Sequence, residues 1–339
     1  MSPFAVSLPN MPIELLDAVC AHLPNHDLVA LARTSSHLHP IAQRRLYRHL
    51  DVSAAAHNLD VVVTLARSPA IARHVRTFSV AISAQQPVFR AFYRALADAL
   101  SAMSELTALG LHVHSGASWV LAAARGARAT AYPRLASFTC SFPFDSHVAR
   151  FLEGASALER LELDTAPTAN PNVLPRISAA TIPRLIHFVG SCQAAKVIVP
   201  GRPLESVHLH DGDLTEDEVA FLAQSTGQIA VLGAITSELL VPLLQALARH
   251  LPYLAYLRVM APFHMSTKIP DSSFYEQVAS TLTLMPELMD FELSGMHWGS
   301  SFESNETGPK RIWQAAPLAA AIDPREDAFE LSSEYAFVY

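Results

Sequence analysis

A short apolar pattern recurs along the chain between residues 75 and 293. In each copy, an apolar or small residue is followed three and five positions later by two more. Alternation of this kind is typical of a β-strand that buries one face. The nine copies are Val75/Phe78/Val80, Leu106/Leu109/Leu111, Leu135/Phe138/Cys140, Leu158/Leu161/Leu163, Leu185/Phe188/Gly190, Leu204/Val207/Leu209, Ile229/Leu232/Ala234, Leu254/Leu257/Val259 and Leu288/Phe291/Leu293. Their first residues lie 19 to 34 residues apart, so the pattern predicts nine strands in repeated units.

Several stretches between these strands have the spacing of an amphipathic helix. Apolar residues recur every three or four positions in Phe89–Leu100, and Leu239–Leu251 and Phe274–Leu284 are similar. Thr215, followed by three acidic residues, is typical of a capped helix start. A strand with a returning helix buries its apolar residues only by stacking on the next such unit. The sequence therefore predicts an α/β (α+β) protein in which residues 71–296 form an irregular leucine-rich-repeat-like solenoid.

The first fifty residues have a different pattern, that of three short helices. In the first helix, two apolar stripes lie side by side: Ile13, Leu16, Cys20 and Leu23 in one, and Leu15 and Val19 in the other. Pro12 suits the first helical turn, where its missing N–H would be unpaired in any case. Leu28 and Leu31 form the apolar edge of a second helix, and a third covers residues 38–50. One stripe of the first helix can pack inside the module, so the other needs a partner.

These helices resemble the F-box motif. That family opens with Leu-Pro and a Glu-Leu-Leu helix, then continues with Leu-Pro-x-x-Asp-Leu. The matching residues here are Met11-Pro12-Ile13-Glu14-Leu15-Leu16, Val19, Leu23-Pro24-Asn25-His26-Asp27-Leu28, Leu31 and Leu46-Tyr47. The chain departs from the pattern at Met11, where leucine is usual, and at Leu38 or His39, where tryptophan is common. The resemblance is to the fungal-type F-box that precedes a leucine-rich-repeat-like region, and it covers residues 8–50.

The resemblance implies that the helical module binds a Skp-family adaptor and, through it, a cullin-based ubiquitin ligase. It implies that the rest of the chain binds a protein substrate. The residues that would contact the adaptor are Met11, Pro12, Ile13, Leu15, Leu16, Val19, Leu23, Leu28 and Leu31.

The pattern divides the chain into five segments. We expect a flexible N-terminus at 1–7, an F-box-like helical module at 8–52, a connecting helix at 53–70, the solenoid at 71–296, and a C-terminal cap with an acidic tail at 297–339. Trp298 and Trp313 fall in the last segment. Because the ends of a solenoid need to be covered, we expect these aromatic residues to pack over its final repeat.

Charge and cysteine content narrow the function classes. The net charge is -7, with 24 basic and 31 acidic residues, which argues against a nucleic-acid-binding surface. The cysteines, Cys20, Cys140 and Cys192, have no disulfide or zinc spacing, so we expect buried thiols in a reducing compartment. The most apolar stretch, Ile229–Leu251, is interrupted by charged residues and proline, so it predicts a buried core segment. These features favour a cytoplasmic or nuclear protein that binds neither nucleic acid nor membrane.

Strand residues between the buried positions are expected to face outward, because strand side chains alternate, and to form a binding surface. The outward residues that we expect to contact the substrate are Glu162, Asp164, His187, His208, His210, Tyr256 and Arg258. His208 and His210 could suggest zinc, but two histidines on one strand supply only part of a zinc shell. The sequence has no phosphate loop, nucleophile elbow or zinc-protease helix. We therefore expect no catalytic residue, metal or cofactor.

Three functions remain open from the sequence. The first is a substrate-recruiting ligase adaptor. The second is a repeat scaffold for protein interactions whose N-terminal helices only cap the repeats. The third is an enzyme with dispersed catalytic residues, which no motif supports. Exposed apolar side chains between Pro12 and Leu16 would favour the first, and buried ones the second.

Overall fold

The structure is a computed structural model that describes residues 11–83, 89–124, 132–163, 174–261, 272–305 and 308–317. It has mixed α/β architecture, as predicted. The chain divides into two compact units. Unit 1 comprises Met1–Asp211 and Gln224–Gly227, and unit 2 comprises Gly212–Ala223 and Gln228–Tyr339.

Unit 1 begins with three short helices and continues into strands that alternate with helices. Its elements in chain order are α1 Ile13–Cys20, α2 Asn25–Thr34, α3 His39–Leu46, β1 His49–Ser53, α4 Asp60–Arg67, α5 Pro69–Ala72, β2 Thr77–Ala81, α6 Arg90–Ala102, β3 Ala108–His112, a 3-10 turn at Ser115–Ala117, α7 Trp119–Ala124, β4 Ser137–Cys140, α8 Ser146–Leu152, β5 Arg160–Leu163, β6 His187–Ser191, α9 Cys192–Ile198 and β7 Ser206–Asp211. Each of these strands pairs in parallel with the next one along the chain.

Unit 2 starts as a similar alternation and ends as a hairpin. Its elements are α10 Glu216–Leu222, β8 Val231–Ile235, α11 Leu240–His250, β9 Tyr256–Met260, α12 Ser272–Leu282, β10 Asp290–Leu293, β11 Met296–Asn305 and β12 Gly308–Pro317. The first three strands are parallel neighbours, and β10, β11 and β12 are antiparallel neighbours. Helix α10 begins with the full capping box predicted at Thr215, whose hydroxyl and backbone pair with Glu218.

The predicted alternation is present on β2 to β10. All nine first residues of the apolar pattern and both following members of each copy are buried, from Val75/Phe78/Val80 to Leu288/Phe291/Leu293. Within each unit these side chains form the core between strands and helices, and the residues that alternate with them face the other side of the strands. The stretch Ile229–Leu251 contains β8 and α11 and contributes to the core of unit 2, as predicted. None of the described helices is long and apolar enough to cross a membrane.

One backbone arrangement recurs at the start of successive strands. The carbonyl of Arg76, just ahead of β2, accepts hydrogen bonds from Thr107 N at 2.7 Å and Ala108 N at 3.1 Å. The same two-donor arrangement is made by the carbonyls of Arg48, Thr107, Ala136, Glu159 and Ile186 in unit 1, and of Ala230 and Ala255 in unit 2. These bonds extend the pairing of neighbouring strands by one residue, so each strand is fixed to its sequence neighbour before the ladder begins.

The antiparallel end of unit 2 buries both predicted tryptophans. Trp298 stacks on Tyr275, with ring centroids 5.8 Å apart, and lies 6.1 Å from Phe291. The Arg311 guanidinium lies over the Trp313 ring at 4.7 Å and donates to the carbonyls of the turn after α12. Both tryptophans are therefore packed within unit 2, in a β-hairpin that the sequence pattern did not predict.

Some predicted boundaries need correcting. The segment 8–52 is not wholly helical, because β1 begins at His49 and pairs with β2. The single connecting helix at 53–70 is two helices, α4 and α5, separated at Ser68 and extending to Ala72. Pro12 is the residue before helix α1 and not part of its first turn. Residues 1–7 and the acidic tail after Pro317 lie outside the described residues.

A further correction concerns the helix predicted at Phe89–Leu100. Helix α6 begins one residue later, at Arg90, and Phe89 is left exposed. Its backbone is extended, with φ -67° and ψ 146°, so its side chain does not continue the buried face of the helix.

Candidate protein-binding surfaces

Helix α1 packs by one face into a small core that the three N-terminal helices share. Leu16 and Cys20 are buried there, one turn apart. The other buried members of this core are Leu28, Leu38, Ile41 and Ala42, and the half-buried residues packed around it are Met11, Leu23, Leu31, Ala32 and Leu46. The helices therefore provide their own core, and α1 needs only one of its faces to complete it.

Other apolar side chains of α1 remain exposed. Leu15 and Val19, one turn apart, are 51% and 45% exposed, and Pro12 precedes them on the same side. Ile13, on the opposite flank of the buried face, is 51% exposed. Val29 on α2 is exposed as well, and it was not among the predicted adaptor contacts. Exposed apolar side chains that cluster on one element are typical of an interaction surface.

Two of the predicted adaptor contacts need correcting. Leu16 and Leu28 are buried in the shared core, so their side chains hold the helices together and do not reach a partner. Met11, Leu23 and Leu31 lie at the margin of this core and are partly exposed. The predicted residues that remain open to a partner are Pro12, Ile13, Leu15 and Val19.

An ion-pair network joins α1 to α3 on the side of the module. Asp17 accepts a hydrogen bond from Arg44 Nη2 at 2.7 Å and from Arg45 Nε at 3.1 Å, and it also pairs with Arg45 Nη2. Arg45 Nη2 additionally donates to the Asp17 carbonyl. Burial alone would raise the pKa of Asp17, but the hydrogen bonds and charges of Arg45 and Arg44 outweigh it and lower that pKa. The carboxylate therefore stays ionised and fixes the orientation of α1.

Replacing Asp17 with asparagine should destabilise the module by about 1–3 kcal/mol at neutral pH, because two arginines lose their charged acceptor. The lowered pKa makes this contribution complete above the unfolded pKa of about 3.9, and it is lost as the pH falls through the lower folded value. Urea unfolding of the wild type and the variant at pH 7 measures the loss of stability, and the same measurement below pH 3 shows whether that loss disappears. Asp27→Asn is the control, since the ion pair described for Asp27 is with His26 and both side chains are exposed. Equal effects of the two substitutions would contradict the prediction.

The strand positions that alternate with the core of unit 1 form two rows across its strands, and most of their residues are polar. One row is His49, Thr77, Ala108, Ser137, Arg160, His187 and Ser206, and the other is Asp51, Ser79, Gly110, Thr139, Glu162, Val189 and His208. Three predicted substrate residues, Glu162, His187 and His208, thus lie in neighbouring positions on β5 to β7. His208 Nε2 is 3.3 Å from Ser206 Oγ. Asp164, also predicted, lies outside the described residues.

His210 departs from the alternation that the sequence predicts. Leu209 pairs with Gly190 and Asp211 pairs with Ser191, so His210 is an extra residue in a bulge of β7. Its Nδ1 atom is buried and has no hydrogen-bond partner in the described part of the chain. Over those same ranges, no three His, Cys, Asp or Glu side chains are arranged to hold a metal ion. The three cysteines are buried, as predicted, and none of them forms a disulfide in the described part of the chain.

The outward face of unit 2 has a more highly connected polar cluster. Tyr256 donates to Glu292 Oε2 at 3.0 Å, and Arg258 Nε lies 3.3 Å from Glu292 Oε1. On the next strands, His297 Nε2 is 3.0 Å from Asp290 Oδ1. Tyr256 and Arg258 were predicted, but Glu292, only 7% exposed, and His297 were not among the chosen residues.

The cluster keeps its phenol neutral. Burial raises the pKa of Tyr256 to about 12, and the adjacent Glu292 carboxylate adds to the shift. The Tyr256 hydroxyl is therefore a hydrogen-bond donor at neutral pH and not a nucleophile or base. Such a cluster can hold a polar group of a partner in a fixed position.

The sequence was compared with models of known protein families and with curated proteins. Neither comparison finds a match.

Proposed function

We propose that this chain is a substrate-recruiting adaptor of a Skp/cullin/F-box ubiquitin ligase. In this proposal the three N-terminal helices bind a Skp-family adaptor, and the repeats bind a protein substrate. The observation that carries it is the exposure of Leu15 and Val19 on one flank of a helix whose buried face already fills its own core, with Ile13 exposed on the other flank. The F-box-like run Pro12-Ile13-Glu14-Leu15-Leu16 includes two of these exposed side chains, Ile13 and Leu15.

Exposed leucine and valine side chains favour a partner on energetic grounds. Burying one such side chain completely is worth about 1.5–3 kcal/mol. Leu15 and Val19 take no part in the core of the described helices, so contact with a partner protein would supply much of this free energy. The alternative scaffold function, in which the helices only cap the repeats, would bury these residues against the chain itself. Their exposure of 51% and 45% favours the adaptor.

The body of the chain supports the second part of the proposal. Parallel strands that follow each other in chain order, with helices between most of them, are what a leucine-rich-repeat-like solenoid would produce. Outward strand residues of such a repeat form an extended surface for a protein ligand. The residues that we assign to the substrate are Glu162, His187, His208 and His210 in unit 1 and, taken separately, Tyr256 and Arg258 in unit 2.

The proposed mechanism is proximity. An adaptor that holds a substrate next to an activated ubiquitin raises the effective concentration of the substrate lysine, and the chain itself performs no chemistry. This mechanism needs a rigid binding face and an anchoring helix, and it requires no cofactor. It belongs to the cytoplasm or nucleus, where cullin ligases operate.

Co-expression with a Skp-family adaptor, followed by pull-down of the full chain, tests the proposal. We expect the wild type to capture the adaptor and Leu15→Glu to weaken capture by at least about tenfold, because a charge would enter an apolar contact. Ala21→Glu is the matched control, because it adds the same charge at a different place on the helix. Ala21 is exposed just after the end of α1, about 120° around the helix axis from Leu15.

Circular dichroism and thermal unfolding should show that both variants fold like the wild type, since both positions are exposed. A folded wild type that captures no Skp-family adaptor would overturn the ligase assignment and leave the scaffold function. Equal loss in Leu15→Glu and Ala21→Glu would contradict the assigned contact face.

A further inference from the structure

Strand β12 is the last strand in the sheet order, and among the described residues it pairs with β11 alone. Leu293 and Met296 flank the two-residue turn between β10 and β11, so they form a hydrogen-bonded pair. Hydrogen-bonded pairs alternate with non-hydrogen-bonded pairs along an antiparallel ladder. The N–H and C=O groups of Trp298 therefore point toward β10, and those of His297 and Gly299 point toward β12.

The same alternation continues into β12. His297 and Gly299 pair with Ala316 and Gln314, so these two residues of β12 bond to β11. The backbone groups of Arg311, Trp313 and Ala315 therefore face the other way, toward the free edge of the strand. This edge presents their N–H groups together with neighbouring carbonyls, and such an edge can accept another strand.

Two prolines limit the open part of this edge. Pro309 and Pro317 occupy the same alternate positions of β12 as Arg311, Trp313 and Ala315, so their backbone nitrogen atoms face the free edge. The β11–β12 ladder therefore loses no donor at either proline. Each proline lies four residues from Trp313, one before it and one after it. The donors of the free edge are therefore arranged symmetrically about Trp313.

We propose that β12 pairs antiparallel with β12 of a second copy of this chain, about a two-fold axis at Trp313. In this register Trp313 faces Trp313 of the second copy, and Arg311 faces Ala315 of the second copy. Three pairs that exchange two bonds each give about six backbone hydrogen bonds. The contact is isologous, as expected for a closed dimer.

The prolines select this register and this partner. With Trp313 on the axis, Pro309 faces Pro317 of the second copy, so the two positions without a donor face each other. Sliding the second strand by two residues would place a proline opposite a carbonyl that needs a donor. Charge is also compatible, because Lys310 faces Ala316 of the second copy and no two like charges are opposed.

The pairing uses one strand from each copy, so the interface is small and the dimer weak. A dissociation constant of roughly 10–100 µM is expected for an interface below the usual size of stable complexes. The dimer should therefore form as the concentration rises through this range. The proposal concerns unit 2 alone and does not depend on the proposed ligase function.

Sedimentation equilibrium of the full chain tests the proposal. The variant Ala315→Pro removes an N–H that faces the free edge and keeps the bonds to β11, so it should fold normally and weaken the dimer at least about tenfold. Ala315→Val is the matched control, since it keeps the N–H and favours a strand. Thermal unfolding of the monomer checks that Ala315→Pro preserves the hairpin.

Two results would overturn the proposal. One is a wild type that remains monomeric at a protein concentration several times the upper end of the expected range of dissociation constants. This holds also if hydrogen exchange shows that another segment of the same chain protects the backbone amides of the free edge. The other is a dimer that Ala315→Pro leaves as tight as the wild type, which would place the interface elsewhere.

Disulfide cross-linking tests the register. In the proposed dimer Ile312 faces Gln314 of the second copy at a non-hydrogen-bonded position, where Cα atoms are about 4.5 Å apart and a disulfide can form. The double variant Ile312→Cys/Gln314→Cys should form a covalent dimer with 312–314 links under mild oxidation, and each single variant should form far less. The native cysteines are buried and give a low background. Equal cross-linking of single and double variants would contradict the register.

Discussion

Replacing Arg202 with methionine is expected to destabilise unit 1 by about 3–5 kcal/mol. The Arg202 side chain is fully buried, and every hydrogen bond described for it ends on a backbone carbonyl. Its guanidinium donates to Val197 O at 3.1 Å and to Ile198 O at the end of α9, where carbonyls have no helical donor. It also donates to Thr181 O at 2.9 Å and so joins the helix to the preceding loop.

Methionine fills a similar volume but donates no hydrogen bond, so several buried carbonyls would lose their partner. Burial lowers the pKa of Arg202, but a guanidinium remains charged at neutral pH. Urea unfolding followed by circular dichroism measures the loss. The matched control is Arg184→Met, because Arg184 is exposed and lies in the same region, and its effect should be within about 0.5 kcal/mol. Similar losses in the two variants would sink the assignment of Arg202 as a structural clamp.

Replacing Gly227 with alanine should cost about 2–4 kcal/mol, because a Cβ atom there has no room. It would lie 2.6 Å from Pro203 C, 2.8 Å from Leu204 O and 2.9 Å from Leu204 N. All three are backbone atoms, so the clash cannot be relieved by rotating a side chain. The short segment 224–227 is also tied to the same stretch by Thr226 N, which donates to Arg202 O at 2.9 Å.

Gly110→Ala is the control for Gly227→Ala. A Cβ at Gly110 would contact Ser79 at 3.6 Å, an ordinary distance, and alanine is no worse than glycine in a strand. Thermal unfolding should show a large decrease in the melting temperature for Gly227→Ala and almost none for Gly110→Ala. An unchanged melting temperature for Gly227→Ala would mean that the two backbone segments are not in close contact.

The sequence predicted the strands well where burial is one-sided and apolar. Leu106, Leu109 and Leu111 could be placed on one strand because a strand that buries one face repeats every second residue. Strand β1 was missed because only Val52 of its five residues is buried. The hairpin was missed because polar residues such as Ser300 and Arg311 occupy positions between its tryptophans, which hides the alternation.

The candidate sites were harder to predict than the strands. Helical spacing identified the two stripes of α1, but it could not decide that Leu16 faces inward while Ile13, of the same stripe, stays exposed. The partners of Arg202 are carbonyls, which leave no signal in the sequence at all. The contacts of Glu292 with Tyr256 and Arg258, and of His297 with Asp290, could not be predicted, since contacts between residues far apart in sequence depend on the register of β9, β10 and β11.

The carbonyls that each accept two N–H groups of the next strand have a consequence for how unit 1 folds. Because every such bond joins two strands that are consecutive in the chain, the residues in contact across β1 to β7 are close together in sequence. Local contacts of this kind favour rapid folding, and a strand can be added as soon as the preceding one has formed. A chain that emerges from the ribosome can therefore begin to order unit 1 while its later residues are still being synthesised.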